Sequence, residues 1–135
     1  MQHINEILEN SIRKNWEELA LTDFGGISLQ YRDIARKIAK LHLLFKHAGI
    51  NKEEKIALCG KNSTQWAVAF MAAMTYGAVP VPILHEFKPD QIHNLLNHSD
   101  SRILFCDFAI YKSIDITTSP EVDAVFNIAD YSLLY

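Results

Sequence analysis

Cysteine is scarce. Only Cys59 and Cys106 occur among 135 residues, and they show no Cys-x-x-Cys spacing. Two such thiols cannot supply the disulfide framework of a small secreted domain. They read instead as small buried hydrophobes in a reducing, cytoplasmic setting. Long apolar runs are missing as well. The least polar stretch, Trp66 to Leu84, is interrupted by Gly77, Pro80 and Pro82, which argues against a membrane span. The opening residues MQHINEILENSIRKNW mix charged and apolar side chains throughout, unlike a signal peptide. Positive charge is also short: 13 Lys and Arg against 16 Asp and Glu leave a net charge of −3. The basic residues are scattered rather than striped, so nucleic acid is not an expected partner.

What is present suits one globular domain over residues 1–135. Hydrophobic residues make up 49% of the chain and charged residues 21%, and a chain this long buries roughly 65–70% of its unfolded surface. Ile4, Ile7, Leu8 and Ile12 share a helical face within residues 4–16. Two short strands, 19–22 and 27–30, flank Asp23-Phe24-Gly25-Gly26, a hairpin signal because glycine reaches positive φ without steric cost. Tyr31 to Ala48 carries an apolar stripe of Ile34, Ile38, Leu41, Phe45 and Ala48, with Gly49 placed to close the helix. Strands at 55–59, 79–82, 102–106 and 124–128 then alternate with helices at 63–76, 89–98 and 108–113, while 115–121 reads as a surface loop. This order predicts an α/β fold: a mostly parallel sheet flanked by helices on both faces, with a short N-terminal β-hairpin. The strand cores are continuous apolar runs, as a sheet covered on both sides requires. Ala67, Ala69, Ala72, Ala73 and Gly77 give the 63–76 helix small faces for close approach to the sheet, and Gly77 is expected to close it left-handed.

No segment supplies a complete catalytic constellation. Gly60-Lys61-Asn62-Ser63-Thr64 lies between a strand and a helix, where a phosphate loop would sit. That loop needs glycine where Lys55 stands and Ser or Thr where Asn62 stands. Asn62 or Ser63 reads better as a helix cap, with Gln65 placed to complete a box on Asn62. His42 and His47, like His93 and His98, are five apart rather than the four of a helical zinc pair; they read as surface or helix-end residues. His85 follows the extended 79–82 segment, where an α/β sheet presents groups to a ligand crevice; a plain loop histidine is the competing reading. Ser63 lacks the Gly-x-Ser-x-Gly turn of an exposed nucleophile. Glu17-Glu18 and Glu53-Glu54 sit at element boundaries and read as solvated. No catalytic, cofactor-binding or metal residue is assigned.

Several segments, in order, are similar to the adenylate-forming enzymes. Ser28-Leu29-Gln30-Tyr31-Arg32-Asp33-Ile34 resembles their first core motif, Leu-Thr-Tyr-x-Glu-Leu. Phe70 to Pro82, through Gly77-Ala78-Val79-Pro80, resembles the second. Gly49 to Leu58 is similar to the connection Gly-Ile-x-x-Gly-Asp-x-Val-Ala. Phe87 to Ile92 and Ser99 to Phe105 continue in register with acyl-CoA synthetases. Gln30 stands in place of Thr, removing the usual cap hydroxyl; Glu54 stands in place of Asp, and Thr75-Tyr76 in place of Lys-Ala.

The resemblance implies the N-terminal subdomain of an ATP-dependent ligase. In the full-length parent it would convert fatty acid, ATP and coenzyme A to acyl-CoA, AMP and pyrophosphate. ATP, magnesium and coenzyme A are implied for that parent and none for this chain, because the family's phosphate loop, acidic magnesium residue, ribose-binding Asp and catalytic Lys have no counterpart here. The chain is thus expected to be a fragment, inactive alone, whose partner is the remainder of the parent enzyme. A homodimer through exposed apolar surface is the other expected association. The alternative is a free-standing α/β binding or interaction module without catalysis.

Overall fold

The computed structural model describes residues 3–135. Its elements are α1 (Ile4–Lys14), β1 (Leu19–Thr22), β2 (Ser28–Gln30), α2 (Tyr31–His47), β3 (Lys55–Cys59), α3 (Thr64–Tyr76), β4 (Val79–Ile83), α4 (Pro89–Ser99), β5 (Ile103–Cys106), α5 (Phe108–Ser113) and β6 (Ala124–Asn127). A 3₁₀ turn at Ile116–Thr118 lies within the stretch 115–121, which read as a surface loop but is partly buried. Ile116 and Ser119 are buried within it and Val122 directly after it, so the stretch is held by two apolar side chains that are too widely spaced to show a period.

Strands β4-β3-β5-β6 form one parallel sheet, and β1-β2 form a separate antiparallel hairpin. Side chains alternate across the sheet. Ile56, Leu58, Ile103, Phe105 and Phe126 face the core under α2 and α3, whereas Ala57, Cys59, Leu104, Cys106 and Val125 face the core under α4. All eight residues from Ile56 to Cys59 and Ile103 to Cys106 are fully buried. Helix α3 carries the chain from β3 outward to β4 on one face. Helices α4 and α5 carry it back the other way on the opposite face, so the three crossovers share one hand.

Ala69, Ala72 and Ala73 of α3 are fully buried, which lets that helix lie close to β3. Phe45 of α2 fills the remaining space, meeting Tyr76 edge-on at 5.4 Å and Phe105 at 6.1 Å. Burying a side chain of that size contributes about 1.5–3 kcal/mol. The amphipathic pattern of α1 is only partly used: Ile12 is buried, but Ile4 and Ile7 remain exposed. Both lie in the first two turns, ahead of the point where α1 meets α2.

The two sheet edges are closed differently. On β4, Val79 donates to the Glu54 carbonyl at 2.8 Å, so by strand alternation the nitrogens of Pro80 and Pro82 point outward. That edge offers no N–H to a further strand, which guards it against pairing. On β6, residues 132–135 fold back antiparallel, with Leu134 donating to the Val125 carbonyl at 2.8 Å and Asn127 to that of Ser132 at 2.8 Å. Tyr131 pins this return: its hydroxyl donates to the Gln65 carbonyl at 2.8 Å and its ring meets Phe105 edge-on at 5.8 Å.

At the N-terminal end of the sheet, Arg102 pairs with both Glu54 and Asp123. Glu54 also accepts from the Asn51 amide at 2.8 Å. This residue is therefore tied to the strand starts rather than solvated, in contrast to exposed Glu17, Glu18 and Glu53. The Asn51 amide first, and then Arg102, hold the Glu54 carboxyl below the usual range. The Arg102 guanidinium is shifted upward, chiefly by Asp123. The departures noted in the motifs also find local uses. Asp33 accepts from the Gln30 amide at 2.8 Å, capping α2 without a hydroxyl. The Tyr76 hydroxyl donates to the Ile50 carbonyl at 2.6 Å.

Two backbone positions generate predictions. Gly77 closes α3 at φ 96°, and an added Cβ would meet Lys52 Cγ at 3.2 Å. Replacing it by valine forces a branched residue into left-handed geometry, so Gly77→Val lowers the unfolding free energy by about 2–4 kcal/mol in urea titrations. Glu53 stands at φ 70°, where the side chain costs about 1–2 kcal/mol against a glycine entropy cost of about 0.5–1 kcal/mol. Glu53→Gly is therefore expected to raise the urea midpoint, by roughly 0.5–1 kcal/mol of stability.

Candidate functional site

In a doubly wound sheet the ligand crevice lies beyond the carboxyl ends of the strands, where the chain reverses its direction of travel. Here that point falls between β3 and β5, and the residues that follow the strand ends are Gly60, Leu84 and Asp107. A crevice of about 210 Å³ opens beside it, lined by Gly60, Asn62, Trp66, Leu84, His85 and Glu86 among others. His85 is thus brought to the strand ends, as the reading of the 79–82 segment allowed. Its Nδ1 lies 3.5 Å from Glu86 Oε1.

The glycine and the helix start that resembled a phosphate loop do other work. Gly60 is buried, and a Cβ there would meet Ile128 Cγ2 at 3.2 Å and Asp107 Oδ2 at 3.4 Å. The glycine admits a neighbouring methyl group rather than an anion. At the start of α3, Ser63 Oγ accepts from the Trp66 amide at 3.1 Å, so Ser63 is the cap residue. Asp23, reaching over from the β1-β2 turn, accepts from the Thr64 amide at 2.7 Å and from the Thr64 hydroxyl at 3.1 Å. The positive end of the helix already holds a carboxylate.

Among the described residues, no Lys or Arg lines this crevice or the adjoining one around Asp23, Phe24 and Asn62. Lys61 is exposed, while Asp23, Glu86 and Asp107 make the strand ends acidic. Among the described residues, no three His, Cys, Asp or Glu side chains gather as a metal site requires. The side chains present therefore do not fit a nucleoside triphosphate with its magnesium, which calls for converging cations and free amides.

Beneath the crevice, Cys59 and Cys106 face each other across the β3-β5 register. Burial pushes both thiols up to about 12. Neither is a nucleophile at neutral pH. Two of the histidines read as surface or helix-end residues are instead structural. His42 Nε2 lies 3.1 Å from the Ala72 carbonyl and 2.9 Å from Thr75 Oγ1. His93 accepts from the Asp115 amide at 3.2 Å and meets Ser119 Oγ at 2.9 Å, fastening the 3₁₀ turn to α4. Residues so far apart in the chain leave no local signal of such pairing. His47 and His98 are exposed.

Comparison with known proteins agrees with this architecture. A profile of the AMP-binding enzymes matches residues 8–132, and the chain belongs to that family of adenylate-forming enzymes. YdaB of Bacillus subtilis (strain 168), whose name places it among acyl–CoA ligases, is 29% identical over 111 residues. That alignment covers 82% of this chain and 22% of YdaB. The anthranilate CoA ligase AuaEII superposes with a TM-score of 0.86 at 21% identity, covering 94% of this chain and 25% of that one. A long-chain-fatty-acid–CoA ligase from Archaeoglobus fulgidus gives a TM-score of 0.80 at 21% identity, with 95% and 28% coverage. The chain thus spans about a quarter of the length of these relatives. Among the described residues, no helix is long and apolar enough to cross a membrane.

Two measurements probe the site. Asp23→Ala removes both contacts to Thr64 and is expected to cost about 1–2 kcal/mol in thermal or urea unfolding. For Cys59 and Cys106, the folded state holds the protons that the unfolded thiols release from about pH 9. Their contribution is intact below pH 9 and is lost as pH rises toward 12. Stability should decline across that window, and a Cys59→Ala, Cys106→Ala double variant should show a shallower decline.

Proposed function

We propose that this chain forms the N-terminal part of an ATP-dependent ligase that activates a carboxylic acid as its adenylate and transfers the acyl group to coenzyme A. By this reading the chain is a structural layer of the enzyme and is inactive by itself. The reading is carried by one combination: the family match spans residues 8–132, yet among the described residues no Lys or Arg lines the strand-end crevices, and their helix start is occupied by Asp23. ATP, magnesium and coenzyme A then engage the rest of the polypeptide. A fatty acid is the proposed acyl substrate, a choice supported by the similarity to the Archaeoglobus fulgidus ligase. The cytoplasm is the proposed location.

Exposed Phe24, Leu84 and Phe108 all follow or adjoin the carboxyl ends of the strands. Together they form the surface proposed to meet the remainder of the enzyme, or a second copy when that remainder is absent. Pyrophosphate exchange into ATP tests the reading. The purified 135-residue chain, given magnesium, ATP and a long-chain fatty acid, is expected to give no exchange above the blank. It is also expected to bind ATP no tighter than about 10 μM by calorimetry. Exchange by this chain alone would overturn the proposal.

A further inference from the structure

Helix α2 carries five of the chain's 13 Lys and Arg residues, Arg32, Arg36, Lys37, Lys40 and Lys46, against one carboxylate, Asp33. These basic residues read as scattered along the sequence, but the turn of the helix gathers four of them. At about 100° per residue, Arg32, Arg36, Lys40 and Lys46 fall on the arc opposite the buried stripe of Ile34, Ile38, Leu41 and Phe45. Leu43 stands at the centre of that arc and is 68% exposed. Asp33, at the hairpin edge, is half-buried and taken up by the Gln30 amide at 2.8 Å. Lys37 is turned aside over the Tyr131 ring.

Arg36, Lys40 and Lys46 are exposed and Arg32 is half-buried. Among the described residues, none of the four makes an ion pair. The open cleft bordered by Leu43 and Lys46 adds Lys52, and among the described residues no carboxylate lines it. In a chain of net charge −3, the stability of α2 does not account for this face. Arg32–Arg36 and Arg36–Lys40 are like charges four apart, which weaken a helix, and Arg32 stands near the positive end of the helix dipole. The arrangement fits a partner that supplies the negative charge.

We propose that the outer face of α2 docks on a bilayer of anionic phospholipid, with Arg32, Arg36, Lys40 and Lys46 among the headgroups and Leu43 entering the acyl boundary. The 17-residue helix presents this face over about 25 Å. Each Lys or Arg brought to such a surface raises partitioning about fivefold, so four supply a gain on the order of several hundredfold. One leucine alone does not hold the chain on an uncharged bilayer. The charges sit on long flexible stems with no acceptor among them to fix the register of a folded partner, which suits a fluid layer. Leu43 finds a counterpart in acyl chains and none on a phosphate backbone, and no aromatic side chain on the arc is placed to stack on a base. The face shares no residue with the strand-end surface of Phe24, Leu84 and Phe108, so the inference is independent of the function proposed above.

Co-sedimentation with vesicles tests this. The purified 135-residue chain should pellet with phosphatidylcholine vesicles containing about 30% phosphatidylglycerol in about 50 mM NaCl, and be released by about 500 mM NaCl. With pure phosphatidylcholine it should stay in the supernatant. Arg36→Glu with Lys40→Glu should lower the partition coefficient on anionic vesicles at least ~20-fold, and Leu43→Ser by about threefold or more. Lys61→Glu with Lys88→Glu changes the net charge equally at exposed positions on another face and should lower it less than about threefold. No pelleting with anionic vesicles, equal loss in the two charge-reversed variants, an unchanged Leu43→Ser variant, or equal pelleting with pure phosphatidylcholine would overturn the proposal. So would tighter binding to poly-L-glutamate or to a DNA duplex at the same charge concentration, which would assign the face to an acidic protein or a nucleic acid.

Discussion

The burial of β3 and β5 on both faces is the constraint from which the rest of the molecule follows. Ile56 to Cys59 and Ile103 to Cys106 have no exposed face, so each side of the sheet must be covered by apolar helix surface. With β3 and β5 adjacent in the centre, α3 and α4 are required on opposite sides, and the chain has to reverse direction between them. The place of reversal fixes where Gly60, Leu84 and Asp107 emerge. A buried sheet thus sets the position of the strand-end crevice before any polar residue is considered.

The two ends of that sheet have opposite character. At the strand starts, Arg102 joins Glu54 and Asp123 and ties three segments together. At the strand ends there are carboxylates, a histidine and exposed aromatic groups, but among the described residues no lining Lys or Arg. An acidic, aromatic-rimmed end suits contact with more protein better than contact with polyphosphate. The asymmetry also explains why a strand–Gly–Lys–helix sequence carries no phosphate loop here: the helix dipole is satisfied within the chain by Asp23.

Much of this architecture was legible in the sequence because it is written in local periodicity. The run Lys55-Ile56-Ala57-Leu58-Cys59 appears as β3 with the expected bounds, and the stripe from Ile34 to Phe45 is the buried face of α2. Gly49 and Gly77 take positive φ where a helix must close. What the sequence concealed depends on partners distant along the chain. Asp23 caps a helix that begins at Thr64, His93 accepts from Asp115, and residues 132–135 return along β6. Ile4 and Ile7 had the right spacing but no partner surface, since periodicity marks a face without saying what covers it. Glu53 at positive φ gave no signal either, because its conformation is imposed by the α2–β3 connection and not by its own preference.

Native-state amide hydrogen exchange tests the central claim most directly, because exchange free energies rank segments by what must unfold to expose them. If two-sided burial of β3 and β5 governs the fold, the amides of Ala57, Leu58, Leu104 and Phe105 exchange most slowly and only with global unfolding, well behind those of the β1-β2 hairpin. Exchange of these four amides at rates matching the hairpin would contradict the account.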